Sequence, residues 1–168
     1  YLIYGKYVIE LFMIPITFGL FALAVEFLVL YLGKVFEGAK SILKILAFCI
    51  IPISISNITG SQYLVAHNKT KILTFSYTLA AIFNLICNFV FVPIIKGDGA
   101  AISILLTEWI VACIQYYYLR KIVNFQKGLF NYFPSIFSGI IMCILLFVLK
   151  KSLYSGIASF IVLVFIGA

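Results

Sequence analysis

The sequence predicts an all-α membrane protein, a polytopic helical bundle, and three observations predict it. Of 168 residues 65% are hydrophobic and only 10% are charged, where soluble domains carry roughly 45–50% and about 25%. Mean hydropathy is +1.22, and so few charges could not cover that much apolar surface in water. No stretch alternates strictly between apolar and polar residues, which favours helices over a membrane barrel.

Six apolar segments are expected in one transmembrane region covering residues 1–168: 8–32, 42–66, 73–95, 100–119, 132–149 and a shortened one at 157–168. A crossing helix needs about 20 residues. The breaks between segments are Gly33-Lys34, Asn68-Lys69-Thr70-Lys71, Lys96-Gly97-Asp98-Gly99, Arg120-Lys121 through Lys127-Gly128, and Lys150-Lys151-Ser152. The chain starts without Met or a signal-peptide layout and stops inside an apolar run, so it is expected to be part of a longer protein.

In the first segment Glu26 lies about two-thirds of the way along, and the preferred reading is a carboxyl that holds helices together or nears the interface. The second segment is unusually polar. Pro52 is followed by Ser54, Ser56, Asn57, Thr59, Gly60, Ser61 and Gln62. Proline removes a backbone hydrogen bond, and neighbouring hydroxyls can satisfy the freed carbonyl. Such a helix is expected to line a water-filled space or bend at a hinge, with interhelical hydrogen bonding as the plainer explanation. Lys44, near its start, is the one plausible inward cation.

The third segment carries Ser76, Ala80, Asn84 and Asn88 at every fourth position, one face of a helix. That pattern predicts a tight seam against a neighbouring helix, and substrate binding by Asn84 or Asn88 is the alternative. Pro93 is expected to end this helix, and Lys96-Gly97-Asp98-Gly99 to reverse the chain, with Gly97-Asp98-Gly99 supplying residues that tolerate positive φ or make side-chain turns. The fourth segment places Glu108 near its middle. A carboxylate there costs roughly 2.5–3.5 kcal/mol or more to insert. Two readings stay open for it: a cavity-lining charge for a proton, cation or cationic group, or a hydrogen-bonded carboxyl joining two helices.

The remaining polar features exclude more than they suggest. Lys and Arg divide evenly between the two sides, so charge gives no orientation. The net charge of +7 sits at helix ends, where it anchors spans at anionic headgroups rather than binding nucleic acid. Tyr1, Tyr4, Tyr7 and Tyr116-Tyr117-Tyr118 read as interfacial belts. Cys49, Cys87, Cys113 and Cys143 lack metal-ligand spacing and read as small apolar fillers. His67 is the one histidine and reads as a loop residue, so neither a metal cluster nor a nucleophile–His–carboxylate set can be assembled. An enzyme is not expected, nor a cofactor.

Taken together, Pro15, Gly19 and Leu32-Gly33, then Asn57 through Leu64, Asn68-Lys69-Thr70-Lys71, Asn84 to Asn88, Pro93, Gly97-x-Gly99-Ala100-Ala101 and Thr107-Glu108 form an ordered set. This set resembles the C-terminal half of polysaccharide repeat-unit flippases, the O-antigen or Wzx-type translocases of the multidrug/oligosaccharidyl-lipid/polysaccharide exporter superfamily. The resemblance covers about residues 11–121. It implies part of the second lobe of a two-lobed exporter in the bacterial inner membrane, with Lys69, Lys71, Arg120 and Lys121 cytoplasmic. It further implies undecaprenyl-diphosphate-linked oligosaccharide as cargo, for O-antigen, lipopolysaccharide or capsule synthesis. Membrane lipids are the other expected partners, with a proton or sodium as coupling ion. Substrate or cavity-lining candidates are Glu108, Glu26, Lys44, Asn57, Gln62, Asn84 and Asn88. The alternatives are a multidrug/cation antiporter of the same superfamily, which would use Glu26 or Glu108, a membrane-embedded polysaccharide polymerase, and a purely structural membrane subunit.

Overall fold

The computed structural model describes residues 2–122, with side chains from 12 to 120, and residues 137, 139–141 and 144. The expected segments at 132–149 and 157–168, Cys143, Tyr1, Lys127, Lys150 and Lys151 lie largely or wholly outside the described residues, as do the side chains of Tyr4, Lys6, Tyr7 and Lys121.

Among the described residues the fold is helical, without strands. Helix α1 (Leu2–Ala22) is followed after Leu23 by α2 (Ala24–Leu32), which leaves it at 73°. The first expected segment is therefore bent rather than straight. Leu23 is bonded on both sides of the bend: its N–H donates back to Gly19 O and its carbonyl accepts from Phe27 N–H, each at 2.9 Å. Gly33 ends α2 at φ 88°, ψ 168°, a conformation that essentially only glycine adopts. A 3-10 turn (Lys34–Ala39), α3 (Lys40–Ala47), α4 (Ile50–Ser56) and a π-helical segment (Asn57–Val65) then follow. Together they form one apolar stretch, Lys34–Val65, long enough to cross a membrane.

The interruption between α3 and α4 has a local cause. A proline ring clashes with the carbonyl four residues before it, and for Pro52 that residue is Phe48. The chain turns at Phe48 and Cys49, whose N–H groups bond back three residues, to Ile45 O and Leu46 O. Ser54 Oγ donates to Ile50 O at 2.6 Å, so its hydroxyl is satisfied within α4.

Residues Thr70–Ile122 are two helices joined at Ile95 and Lys96, whose dihedrals leave the helical region. They form not one rod but a hairpin, α5, with arms 70–94 and 97–122. Asn84 and Thr107 are 23 residues apart and hydrogen-bonded at 2.9 Å, whereas a straight helix would separate them by about 35 Å. Ser76 and Gln115, 39 residues apart, are joined at 3.1 Å. Both pairs are centred on the Ile95–Lys96 junction, so the arms run antiparallel in a single register.

The expected turn thus needs correction in three ways. The chain reverses over two residues rather than four, and the helix runs through Pro93 instead of ending there. The positive φ belongs to Lys96 (φ 49°, ψ −124°), not to Gly97 or Gly99. The glycines serve close approach instead. A Cβ on Gly97 would lie 2.7 Å from Ile42 Cδ1, and one on Gly99 would lie 2.5 Å from Phe91 O. Lys96 occupies the first central position of a type II′-like turn, where glycine is preferred. Strain of that kind costs of order 1–3 kcal/mol, part of which glycine's greater unfolded-state freedom offsets. Lys96→Gly is expected to raise stability by about 1 kcal/mol, read as a higher thermal-unfolding midpoint in detergent. An unchanged or lower midpoint would refute the strain.

The Lys34–Val65 stretch packs along the hairpin, parallel to its second arm. Ser41 Oγ donates to Asp98 Oδ1 at 2.7 Å at one end, and Thr59 meets Gln115 at the other. Helix α1 lies on the far side, where Phe21 tilts against Phe48 at 5.4 Å between ring centroids. Gly139 packs on the same helix, against Phe18 and Ile14.

Candidate functional site

Membrane-embedded polar side chains are informative because each must find a partner or a polar space. Two polar layers cross the hairpin. In the layer nearer the turn, Asn84 Nδ2 donates to Thr107 Oγ1 at 2.9 Å. Thr107 Oγ1 donates to Ser103 O at 2.7 Å, and Ser103 Oγ to Gly99 O at 2.9 Å. Asn88 Nδ2 reaches Asn84 Oδ1 at 2.8 Å. Ser76 and Ala80, from the same stripe, are buried, and Ser76 bonds to Gln115 of the second arm. The stripe therefore follows the seam between the arms: Ser76 and Asn84 bond across it, and Asn88 bonds back to Asn84 on its own arm.

The layer farther from the turn centres on Gln115, which is fully buried. Its Nε2 donates to Ser76 Oγ at 3.1 Å and its Oε1 accepts from Thr59 Oγ1 at 3.0 Å. Thr59 also lies 2.8 Å from Ile55 O, and Ser76 Oγ donates to Leu73 O at 2.8 Å. Three helical pieces thus meet at one amide: the π-helical segment and both arms. Gln115 did not stand out in the sequence. Its signal was a single amide two helical turns after Glu108 in an apolar run, and charge drew attention to Glu108 instead.

Glu108 is half-buried on the second arm, between the two layers. The buried Cys49 thiol, at the break between α3 and α4, lies within electrostatic range of it. Lys44 does not join it. Its Nζ lies 5.3 Å from the centre of the Phe21 ring, a cation–π contact toward α1. Glu26 sits in the first turn of α2, where a negative charge favours the helix dipole.

The π-helical segment is the least ordinary piece of backbone. Nine residues run with i→i+5 bonding, a geometry that is rare, short and frequent at functional sites. Ile58, Thr59, Gly60, Tyr63 and Leu64 face inward, while Asn57, Ser61 and Gln62 are exposed. Two amides and a hydroxyl on the outside of a membrane-length helix form a poor lipid face, since an unpaired amide loses its water there. They can donate to and accept from hydroxyls, ring oxygens or water.

The seven candidates fall into three groups. Asn84, Asn88 and Glu108 belong to the hairpin, Asn57 and Gln62 to the outer face of the π-helical segment, and Lys44 and Glu26 to the packing around α1 and α2. His67, expected as a loop residue, stacks on Tyr63 at 4.1 Å with Nδ1 2.9 Å from Tyr63 O, at the end of that segment. Cys49, Cys87 and Cys113 are free thiols. Comparison with protein families, with characterised proteins and with solved structures gives no match to this chain.

Proposed function

We propose that this chain forms part of a polytopic translocator that passes undecaprenyl-diphosphate-linked oligosaccharide repeat units across the bacterial inner membrane, for O-antigen or capsule synthesis. The observation that carries translocation is the exposed Asn57–Ser61–Gln62 face on an interrupted, membrane-length helix. Neutral hydrogen-bonding groups suit a hydroxyl-rich cargo better than an ionic one, because they bind without the desolvation cost of a charge. The cargo class itself rests on the resemblance of the ordered residues from Pro15 to Glu108 to repeat-unit flippases. In this reading the Lys34–Val65 stretch and both arms of α5 each cross the bilayer. Each arm has about 25 residues, against the roughly 20 required.

The test uses the intact gene. Its deletion is expected to abolish surface polysaccharide, and the wild-type gene to restore it. Glu108→Gln at equal expression is expected to lower surface display several-fold, since a half-buried carboxylate in an apolar arm calls for a polar partner or path. Normal display in the deletion strain would overturn the flippase reading; normal display in Glu108→Gln would remove charge from the mechanism. The position of Glu108 favours one second reading, a cation-coupled multidrug antiporter. Drug resistance conferred without any surface-glycan phenotype would establish that reading in place of the first.

A further inference from the structure

Exposure along the π-helical segment recurs with a spacing that its register explains. Asn57, then Ser61 and Gln62, then Val65 and Ala66 are exposed, while Leu64 is fully buried. Outward positions every four to five residues follow from i→i+5 bonding. At about 3.6 residues per turn, an α-helix starting from Asn57 would instead carry Gly60–Ser61 and then Leu64 outward. The exposed polar face therefore exists only while the segment keeps its wider turn.

Two side chains of the second arm, one turn apart, grip this segment. Leu119 packs with Tyr63 and Leu64 in a buried cluster flanked by Ile72 and Leu73. Gln115 holds the preceding turn: it accepts from Thr59, and its Oε1 stands 2.8 Å from where a Cβ on Gly60 would lie. It thus touches consecutive residues of the segment, and shares with Leu73 Cδ1, also at 2.8 Å, the space that Gly60 leaves. Thr59 and Ser76 each have a carbonyl of their own helix within reach, so neither hydroxyl depends on the amide. Gln115 is fully buried, and Thr59 and Ser76 are the partners that satisfy it.

We propose that Gln115 is a positioning residue. It holds residues 57–65 in the π register, so that Asn57, Ser61 and Gln62 share one outward face. Without the amide the segment relaxes toward i→i+4 bonding, one residue out of step, and that face splits. What the face is for rests on the translocation reading above; the register does not.

The experiment is a nitroxide scan of positions 57–66, omitting Gly60, in the intact protein reconstituted in liposomes with its native cysteines replaced. In the otherwise wild-type protein, mobility maxima are expected at 57, 61–62 and 65–66. Gln115→Leu, close in shape but without polar groups, is expected to move the later maxima toward 61 and 64. Gly60→Ala, whose methyl displaces the amide and meets the Leu73 side-chain end, which can turn to another rotamer, removes no hydrogen-bonding group; it is expected to produce the same shift and serves if Gln115→Leu fails to fold. Maxima that stay at 57, 61–62 and 65–66 in a folded variant would overturn the proposal. Relaxation by oxygen and by a water-soluble nickel chelate, read on the same samples, separates the two claims. Strong nickel access at 57, 61 and 62 supports a polar path. Oxygen access alone refutes the path while leaving the positioning role intact.

Discussion

Gly99→Ala is expected to cost about 3 kcal/mol, the upper end of the range for overpacking a well-packed contact. The added methyl would lie 2.5 Å from Phe91 O, 2.6 Å from Phe91 C and 3.0 Å from Val92 N. All three are backbone atoms of the opposing arm, so relief requires the arms to move apart near their junction. That movement would also stretch the Asn84–Thr107 hydrogen bond further along the seam. Gly97→Ala is the matched control. Its methyl would meet the end of the Ile42 side chain at 2.7 Å, which can turn to another rotamer, and a loss below about 1 kcal/mol is expected. Thermal unfolding in detergent, with membrane abundance as a second readout, compares the two. Equal losses would show that the arms are not in backbone contact at Gly99.

Leu119→Ala is expected to cost about 2 kcal/mol. Leu119 is fully buried and closes the cluster with Tyr63 and Leu64. In soluble cores such truncations cost roughly 2–5 kcal/mol, of which part is transfer from water and part is the cavity left behind. Within a bilayer the transfer part largely vanishes, because lipid is as apolar as leucine, and lost packing remains. The lower end of the range follows. Leu106, on the same arm but 39% exposed, gives the comparison: Leu106→Ala is expected to change the unfolding midpoint little. A loss for Leu119→Ala no greater than that for Leu106→Ala would show that the cluster is not packed as described.

The helical class was legible because long apolar runs lack the strict alternation of a barrel strand, and the seam was legible because small and amide residues recur at the helical spacing from Ser76 to Asn88. Pro52 likewise announced an interruption. The rule that a proline ring excludes the carbonyl four residues earlier also places it at Phe48. The bend at Leu23 left no such mark. Apolar residues continue on both sides and no proline or glycine stands at Leu23, so neither composition nor a breaker residue at that position betrays it. The turn was misread for a related reason. Glycine in a polar tetrapeptide suggests positive φ, yet Gly97 and Gly99 answer to atoms of other segments, Ile42 and Phe91, that no local pattern reveals. The π-helical segment showed its polar composition but not its register, because i→i+5 bonding is imposed by what packs against Thr59 and Gly60. For the candidate site, the sequence picked out charges and amides one by one. It missed Gln115, whose importance lies in the three elements that converge on it.

The bond between Asn84 and Thr107 bears on how the chain reaches the membrane during synthesis. Presented alone, the first arm satisfies Asn88 from its own Asn84 but brings the Asn84 amide N–H into hydrocarbon bare, a cost of the kind that turns segments away from lipid. Presented with its partner, Asn84 already has Thr107 as acceptor. The reversal at Ile95–Lys96 is only two residues long, so the second arm arrives directly behind the first. The pair is suited to leave the insertion machinery together, as one antiparallel unit that has hidden its polar groups before it meets lipid.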